Sequence, residues 1–265
     1  MKKFNFGKNW KNFIKTVDEK RITEAENSLK KMLKMGNLSG KRFLDAGSGS
    51  GLFSLAAKRL GAEVYSFDYD NDSVECTKYL RKNFFQNNEK WHVERGDILD
   101  TDYINKIGSF DIVYSWGVLH HTGNLEIALE DIILPLKSGG TLFISLYNYQ
   151  NYMSALNTFM KKKYVYGGKL TKIFIAGFFI FFKVLKGFLK DIFFLKNPLL
   201  RYKNKKNERG MSVFYDWIDW IGGYPFEPSR PDDIINLFID KNFTLINVKT
   251  MGGGHGCNEF VFVKK

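Results

Sequence analysis

The stretch Phe43-Leu44-Asp45-Ala46-Gly47-Ser48-Gly49-Ser50-Gly51-Leu52 decides the fold: an apolar strand runs into a glycine-rich turn that opens a helix. Glycine lets the backbone turn sharply and approach a ligand without a Cβ in the way. The following helix, from about Leu52 to Leu60, presents its unpaired N–H groups at the same point. The next strand, Glu63-Val64-Tyr65-Ser66-Phe67-Asp68, ends in a carboxylate 21 positions beyond Gly47, where a doubly wound fold grips a ribose diol. One β-α-β unit therefore carries two contacts to a nucleoside-type cofactor.

Glycine spacing selects the cofactor. A dinucleotide fingerprint needs G-x-G-x-x-G, but here the sixth position is Leu52, and Gly47, Gly49 and Gly51 give G-x-G-x-G with Asp45 two residues upstream. This pattern resembles motif I of the class I S-adenosylmethionine-dependent methyltransferases. Three later segments resemble the same family in order and spacing. His92-Val93-Glu94-Arg95-Gly96-Asp97-Ile98-Leu99 resembles the segment whose acid, here Asp97, accepts from the adenine amino group while the next backbone N–H, on Ile98, meets a ring nitrogen. Phe110 to Ser115 resembles the fourth strand, and Trp116-Gly117-Val118-Leu119-His120-His121 its active-site loop. The resemblance implies S-adenosylmethionine as cofactor and no metal. It assigns cofactor binding to Trp10, Asp45, Gly47, Ser48, Gly49, Gly51, Asp68, Asp97, Ile98, Ser115 and Trp116.

At 265 residues and 44% hydrophobic, the chain suits one domain with an insertion and holds enough apolar content for a substantial core. Cys76 and Cys257 are too few for a disulfide framework and lack metal-ligand spacing, which points to a reducing compartment. The segment Met1 to Trp10 has basic residues but no continuous apolar run behind them, so it does not read as a secretory signal. A cytoplasmic location is expected, with the inner membrane surface as a peripheral site.

Short apolar runs alternate with helical patterns until Asn148, which argues a mainly parallel sheet covered on both faces. Thr141 to Leu146 reads as the fifth strand. Arg230 to Asp240 reads as a helix, with Pro231 near its start and Asp232 and Asp233 in the first turn. Thr244 to Lys249 and Glu259 to Val263 read as strands, which the resemblance makes a closing antiparallel hairpin. The expected fold is α/β, a Rossmann-like doubly wound seven-stranded sheet with an antiparallel last strand and a helical, basic and aromatic insertion after the fifth strand. Residues 1–38 are expected as a helical cap over the cofactor, 39–146 and 230–265 as the core, and 147–229 as an inserted lid that binds the acceptor.

That insertion concentrates the charge. From Lys161 to Arg209 there are fourteen Lys or Arg against the acids Asp191 and Glu208, a local +12 that equals the net charge of the whole chain. Its centre, Ile173 to Phe182, is an uncharged run too short to span a bilayer, for which about 20 apolar residues are needed. Two readings stand: a lid whose aromatic face packs over the pocket while its lysines, with Lys161 to Lys163 and Arg201 to Lys206 as flanks, attract an anionic acceptor, or an amphipathic helix resting on a membrane surface. Trp217 and Trp220, three apart, fit one buried helix face, but Tyr215, Asp216, Asp219 and Tyr224 crowd polar tips into the same patch. The segment Asp219 to Glu227 also resembles a signature of bacterial methyltransferases linked to cell-surface polysaccharide assembly.

Candidates for proton chemistry are His121 and His120 on the loop after the fourth strand, His255 in the run Gly252-Gly253-Gly254-His255-Gly256, and Tyr215. Methyl transfer asks the protein to align the acceptor and keep its nucleophile deprotonated, for which histidine has the right pKa. An already ionised acceptor needs no base. The loop Ser115-Trp116-Gly117-Val118 lacks the Asp/Asn-Pro-Pro-Tyr element of base N-methylating enzymes, so oxygen is the first choice of acceptor atom. The expected function is O-methylation of a small anionic acceptor, phosphorylated or nucleotide- or sugar-linked, in capsule or lipopolysaccharide precursor synthesis. The alternatives are an RNA methyltransferase and a quinol O- or C-methyltransferase at the membrane surface. A Phe-rich rather than Arg-rich insertion disfavours nucleic acid.

Overall fold

The computed structural model describes residues 7–85, 90–194 and 213–265. Strands β1 (Arg42–Ala46), β2 (Glu63–Asp68), β3 (Trp91–Arg95), β4 (Phe110–Trp116), β5 (Leu136–Tyr147), β6 (Phe243–Lys249) and β7 (Cys257–Lys264) form one sheet in the order β3-β2-β1-β4-β5-β7-β6. Strands β1 to β5 pair in parallel, and β7 runs antiparallel between β5 and β6. The expected doubly wound sheet with its antiparallel last strand is present. Chain order reverses between β1 and β4, so the carboxyl ends of these strands border the crevice where α/β sheets bind ligands.

The helices are α1 (Gly7–Phe13), α2 (Glu19–Leu33), α3 (Leu52–Arg59), α4 (Asn71–Phe84), α5 (Thr101–Lys106), α6 (Leu125–Asp131), α7 (Asn151–Tyr166), α8 (Lys169–Phe193), α9 (Val213–Gly222) and α10 (Pro231–Asp240). Several start where the sequence places a capping oxygen: Asp18, Asp70, Asp100 and Asn124 each accept from a backbone N–H of the first turn. Side chains of each strand alternate between two apolar layers. Phe43, Val64 and Ile112 join Ile22, Leu29, Leu55 and Leu80 on one face, while Leu44, Phe67 and Val113 join Ile104, Leu129 and Phe238 on the other. Full burial of an aliphatic or aromatic side chain contributes about 1.5–3 kcal/mol each, so both faces of the sheet anchor the loops at its edge.

Strand β5 begins earlier than expected. Lys137-Ser138-Gly139-Gly140 reads as a turn, yet Leu136 pairs with Phe110 and the register shifts before Ile112 pairs with Thr141, so an irregularity absorbs the glycines within the strand. Between β5 and α10 lie α7, α8 and α9. The aromatic run of α8 does not pack over the pocket as a face. Phe178, Phe181 and Phe182 are each at least half exposed, and their neighbour Phe179 is the one that turns inward, its ring stacked on Trp220 at 4.9 Å. The helix is apolar on more than one side, and the stripe turned to the body is the one carrying Phe179 and Lys183. Residues 201–206, expected as a basic flank, lie outside the described residues.

Candidate active site

A cavity of about 1550 Å³ opens along the carboxyl edge of the sheet, and it is continuous from the glycine loop to the insertion. At one end the chain leaves β1 and folds back on β2, with the N–H groups of Gly47 and Ser48 both donating to the Phe67 carbonyl. Gly47, Gly49 and Gly51 all have φ between 56° and 83°. A Cβ on Gly47 would lie 2.5 Å from Val118, and one on Gly51 2.8 Å from the Thr77 backbone. The glycines are therefore required by conformation and by space at once.

Asp68 lies against this loop and faces the cavity. Its Oδ2 accepts from Gly49 N–H at 2.9 Å and its Oδ1 from Asp70 N–H at 2.8 Å, and the carboxylate also accepts from the Tyr69 backbone. Burial pushes its carboxyl up to about 6, against those three hydrogen bonds and with the Asp70 charge adding to the rise. Asp97 and Ile98 line the wall beside it, and Asp97 Oδ1 accepts from Leu99 N–H at 3.0 Å. Trp10 completes this end from α1: a Cβ on Gly49 would sit 3.3 Å from its Nε1. Helix α1 is held there by Gly7 N–H on Asp70 and by a 2.7 Å ion pair from Lys11 to Asp72.

Asp45 is 2% exposed and anchors a buried polar chain. Trp91 Nε1 donates to Ser66 Oγ at 3.0 Å, Ser66 and Ser54 are 2.8 Å apart, and Ser54 Oγ donates to Asp45 Oδ2 at 2.5 Å. Because Trp91 can only donate and Ser54 gives its proton to Asp45, Ser66 must donate to Ser54. Burial raises the Asp45 carboxyl to about 7, with the Ser54 hydrogen bond opposing and nearby Asp68 adding to the rise.

Two expected cofactor contacts are elsewhere. Ser115 is fully buried and its hydroxyl donates to the Ala46 carbonyl at 2.8 Å, so it ties β4 to β1 and does not line the cavity. Gly51 lies behind the loop, at the N-cap of α3 and against α4. Ser48 and Trp116 do line the cavity; Ser48 pairs with Thr77 at 3.0 Å, and the Trp116 indole donates to Glu259 at 3.3 Å.

At the other end the cavity is walled by His120, His121, Tyr147, Phe179, Trp217, Trp220, Tyr224 and His255, with Lys183 among them. The two adjacent histidines differ in tautomer. His120 Nδ1 accepts from Tyr147 N–H at 3.2 Å, so its proton sits on Nε2, a buried donor with no partner among the described residues. His121 Nδ1 lies 2.6 Å from the Pro225 carbonyl and must donate to it, which puts the lone pair on Nε2. Burial holds His120 well below the ordinary range, with His121 and Lys161 adding, and it holds His121 at about 3, with Lys161 adding and the Pro225 bond opposing. Both rings are neutral at neutral pH and weak as bases. This corrects the expectation of a histidine poised near neutrality.

His255 lies across the cavity, 5.0 Å from the Trp220 ring and lowered to about 4 by partial burial and by Lys183, Lys161 and Lys186. Tyr215 falls on α9, but its side chain lies outside the described residues, as does that of Asp219.

Asn148, Asn258 and Glu227 were not singled out from sequence, and Lys161, expected as a charged flank of the lid that attracts the acceptor, lies elsewhere. Lys161 is fully buried: its ammonium donates to the Trp220 carbonyl and lies 4.0 Å from the Trp220 ring centroid and 4.7 Å from that of Phe226, and burial lowers it to about 7. In the sequence it is one of three consecutive lysines, indistinguishable from its solvated neighbours. Asn148 donates to the carbonyls of Gly252 and Gly254 and accepts from Asn258, so this pair clamps the loop that bears His255. Glu227 accepts from the N–H groups of Gly123 and Leu125 and secures the insertion's return against the loop after β4.

A reversed parallel sheet with a glycine cradle, a carboxylate ending its second strand and an acid after its third defines a fold that binds an adenosine-bearing cofactor. Residues 17–168 match the family profile described as a methyltransferase domain, and the chain belongs to that family, the class I S-adenosylmethionine-dependent methyltransferases. It is similar to the mitochondrial ubiquinone biosynthesis O-methyltransferase of Rattus norvegicus, 32% identical over 111 residues, which is 42% of this chain and 32% of the rat protein. It is also similar to the ribosomal protein L11 methyltransferase of Helicobacter hepaticus, 41% identical over 105 residues, 37% of this chain and 32% of that protein. The matched part thus spans about a third of these relatives' length. Among solved structures, magnesium protoporphyrin IX methyltransferase from Synechocystis PCC 6803 with bound SAH superposes with a TM-score of 0.55 at 14% identity, covering 92% of this chain and 83% of that one. An O-methyltransferase family protein from Burkholderia thailandensis gives 0.56 at 9%, over 92% and 57%. These two share the fold.

Proposed function

We propose that the chain methylates a hydroxyl oxygen on a small acceptor with a flat or apolar body, a phenol or quinol being the best fit. When bound, S-adenosylmethionine supplies a methyl group on a sulfonium. The residues that would hold it are Asp68 for the ribose diol, Asp97 and Ile98 for the adenine, the loop Gly47 to Gly49, and Trp10 from above.

The carrying observation is the tautomer pair. His120 carries an N–H that is buried without a partner among the described residues, His121 donates from Nδ1 to the Pro225 carbonyl, and both residues border the aromatic end of the cavity. A hydroxyl satisfies both: it donates to His121, accepts from His120 through one lone pair, and keeps the second lone pair for the methyl. An amine has a single lone pair, which His120 would occupy. Lys183 in the wall, with the protonated fraction of Lys161 behind it, supplies positive potential that favours the oxyanion, so the weak basicity of the histidines is offset by a more acidic hydroxyl. The names of the ubiquinone-pathway relatives agree with O-methylation of such an acceptor. The capsule or lipopolysaccharide placement expected from Asp219 to Glu227 gains no support from the relatives.

The test is a matched competition: a catechol and the corresponding aromatic diamine offered with S-adenosylmethionine, and products resolved by mass spectrometry. Methylated hydroxyl with little methylated amine is expected, and His121→Leu should lower kcat/KM by about 10²-fold or more with donor affinity unchanged. Preferential N-methylation, or full activity in His121→Leu, overturns the proposal.

A further inference from the structure

The hairpin of α7 and α8 presents an apolar surface that the other described residues leave open. Phe174, Phe178, Phe181 and Phe182 are 50–74% exposed, and Phe188, Leu189 and Ile192 continue the stripe toward the end of α8. These rings touch one another, with Phe178 and Phe182 4.5 Å apart at their centroids. Helix α7 adds Tyr152, Leu156 and Phe159 to the exposed set. A contiguous patch of this kind marks a surface that meets another apolar phase.

Charge identifies that phase. Lys162, Lys163, Lys169, Lys186 and Lys190 are exposed along the same hairpin, and Asp191, its one acid, is buried. The hairpin therefore shows solvent an apolar stripe bordered by positive charge with no exposed carboxylate. Helix α8 is 25 residues long, about 37 Å at the usual rise. No helix among the described residues is long and apolar enough to cross a membrane. A long helix with one aromatic stripe and lysines beside it, unable to span, has the build of an element that lies in an interface.

We infer that the α7–α8 hairpin docks the protein on an anionic lipid bilayer, its phenylalanine stripe entering the boundary between headgroups and acyl chains while the flanking lysines meet lipid phosphates. The occupant is a membrane and not a second copy of the chain, because face-to-face pairing would bring the two sets of lysines together. It is not RNA, because phosphate contacts alone would leave the stripe in water. This inference concerns where the protein sits and holds for any acceptor.

The test is sedimentation of the full chain with vesicles of phosphatidylcholine alone and of phosphatidylcholine mixed with phosphatidylglycerol. Binding to the mixed vesicles is expected, much weaker on the neutral ones and weakened by salt. The triple variant Phe178→Ser, Phe181→Ser, Phe182→Ser should bind roughly tenfold or more weakly. Its thermal melting and its S-adenosylmethionine affinity should match the unaltered chain, since those side chains face outward. Lys186→Gln with Lys190→Gln should weaken binding to the anionic vesicles alone. Absence of sedimentation, or binding that survives the triple variant, overturns the inference, as does a vesicle-free dimer in analytical ultracentrifugation that the triple variant abolishes. Because none of these readouts uses turnover, they fail or succeed independently of the acceptor proposal.

Discussion

Asp68 sits where two requirements oppose each other. In the donor site proposed above it must be ionised to accept two ribose hydroxyls, yet burial raises its carboxyl to about 6. The proton has to leave before both hydroxyls find an acceptor, so donor affinity should rise as pH climbs from about 5 to about 7 and flatten above that. Calorimetry across this range should show the slope in the unaltered chain and lose it in Asp68→Asn, which should also bind about ten- to a hundredfold more weakly. The glycines of the loop are expected to separate two kinds of damage. A Cβ on Gly51 meets the backbone of α4, which cannot yield, whereas one on Gly49 meets the edge of the Trp10 ring at 3.3 Å. Gly51→Ala should therefore destabilise the fold by about 2 kcal/mol or more in chemical denaturation, and Gly49→Ala by about 1 kcal/mol. Donor affinity should rank the two sites in the opposite sense relative to stability, because Gly49→Ala displaces a wall of the cavity. Asp68, Asp97 and the glycine triplet were legible in the sequence because strand, turn and acid recur at fixed spacing along it. Ser115 fits the same pattern in sequence, but its hydroxyl is held by the Ala46 carbonyl and its side chain is buried away from the cavity, which spacing alone does not reveal. The histidine pair was legible as residues and not as chemistry, since tautomer and pKa depend on Tyr147, Pro225 and Lys161, which come from distant parts of the chain.

Among the elements, the later part of β5 and the strands β6 and β7 follow from short apolar runs, and α10 from Pro231, Asp232 and Asp233 at its start. The orientation of α8 does not. Ile175, Phe179 and Ile180 lie on one side and Phe178, Phe181 and Phe182 on another, so a hydrophobic stripe is available whichever way the helix turns. Partners in α9 break the tie, Trp220 stacking on Phe179. The loop after β6 shows a second dependence that spacing alone conceals. Its carbonyls at Gly252 and Gly254 hang on the side chain of Asn148, 104 and 106 positions earlier. Asn148→Ala leaves those groups without that donor and should cost about 1–3 kcal/mol of stability. Freed of the clamp, His255 loses its fixed place in the chamber wall. The acceptor KM should therefore rise severalfold while donor affinity stays constant, which steady-state kinetics and calorimetry on the same preparation would check.

At the scale of the whole molecule, one sheet edge serves both ends of the reaction, and the chamber running along it joins the donor loop to the insertion. The half of that chamber built by β1 to β4 was readable from four short motifs. The half built by α8, α9 and the β6–β7 loop depended on which faces of an aromatic insertion pack inward, and its contacts include some that cross more than a hundred residues of sequence. A different kind of connection runs beneath the chamber. Trp91, Ser66, Ser54 and Asp45 form a one-way file of donors that starts on β3, crosses β2 and α3, and ends at the foot of the glycine loop on β1. Every hydroxyl in it points toward the carboxyl, so ionisation of Asp45 polarises the entire file. The indole at the far end then acts as a built-in optical gauge. Its emission should shift as pH passes about 7, where burial has set Asp45, and the shift should vanish in Asp45→Asn and in Trp91→Phe. Donor binding that changes the charge at the glycine loop would register in the same signal, giving a light-based readout of occupancy that needs no label and no turnover.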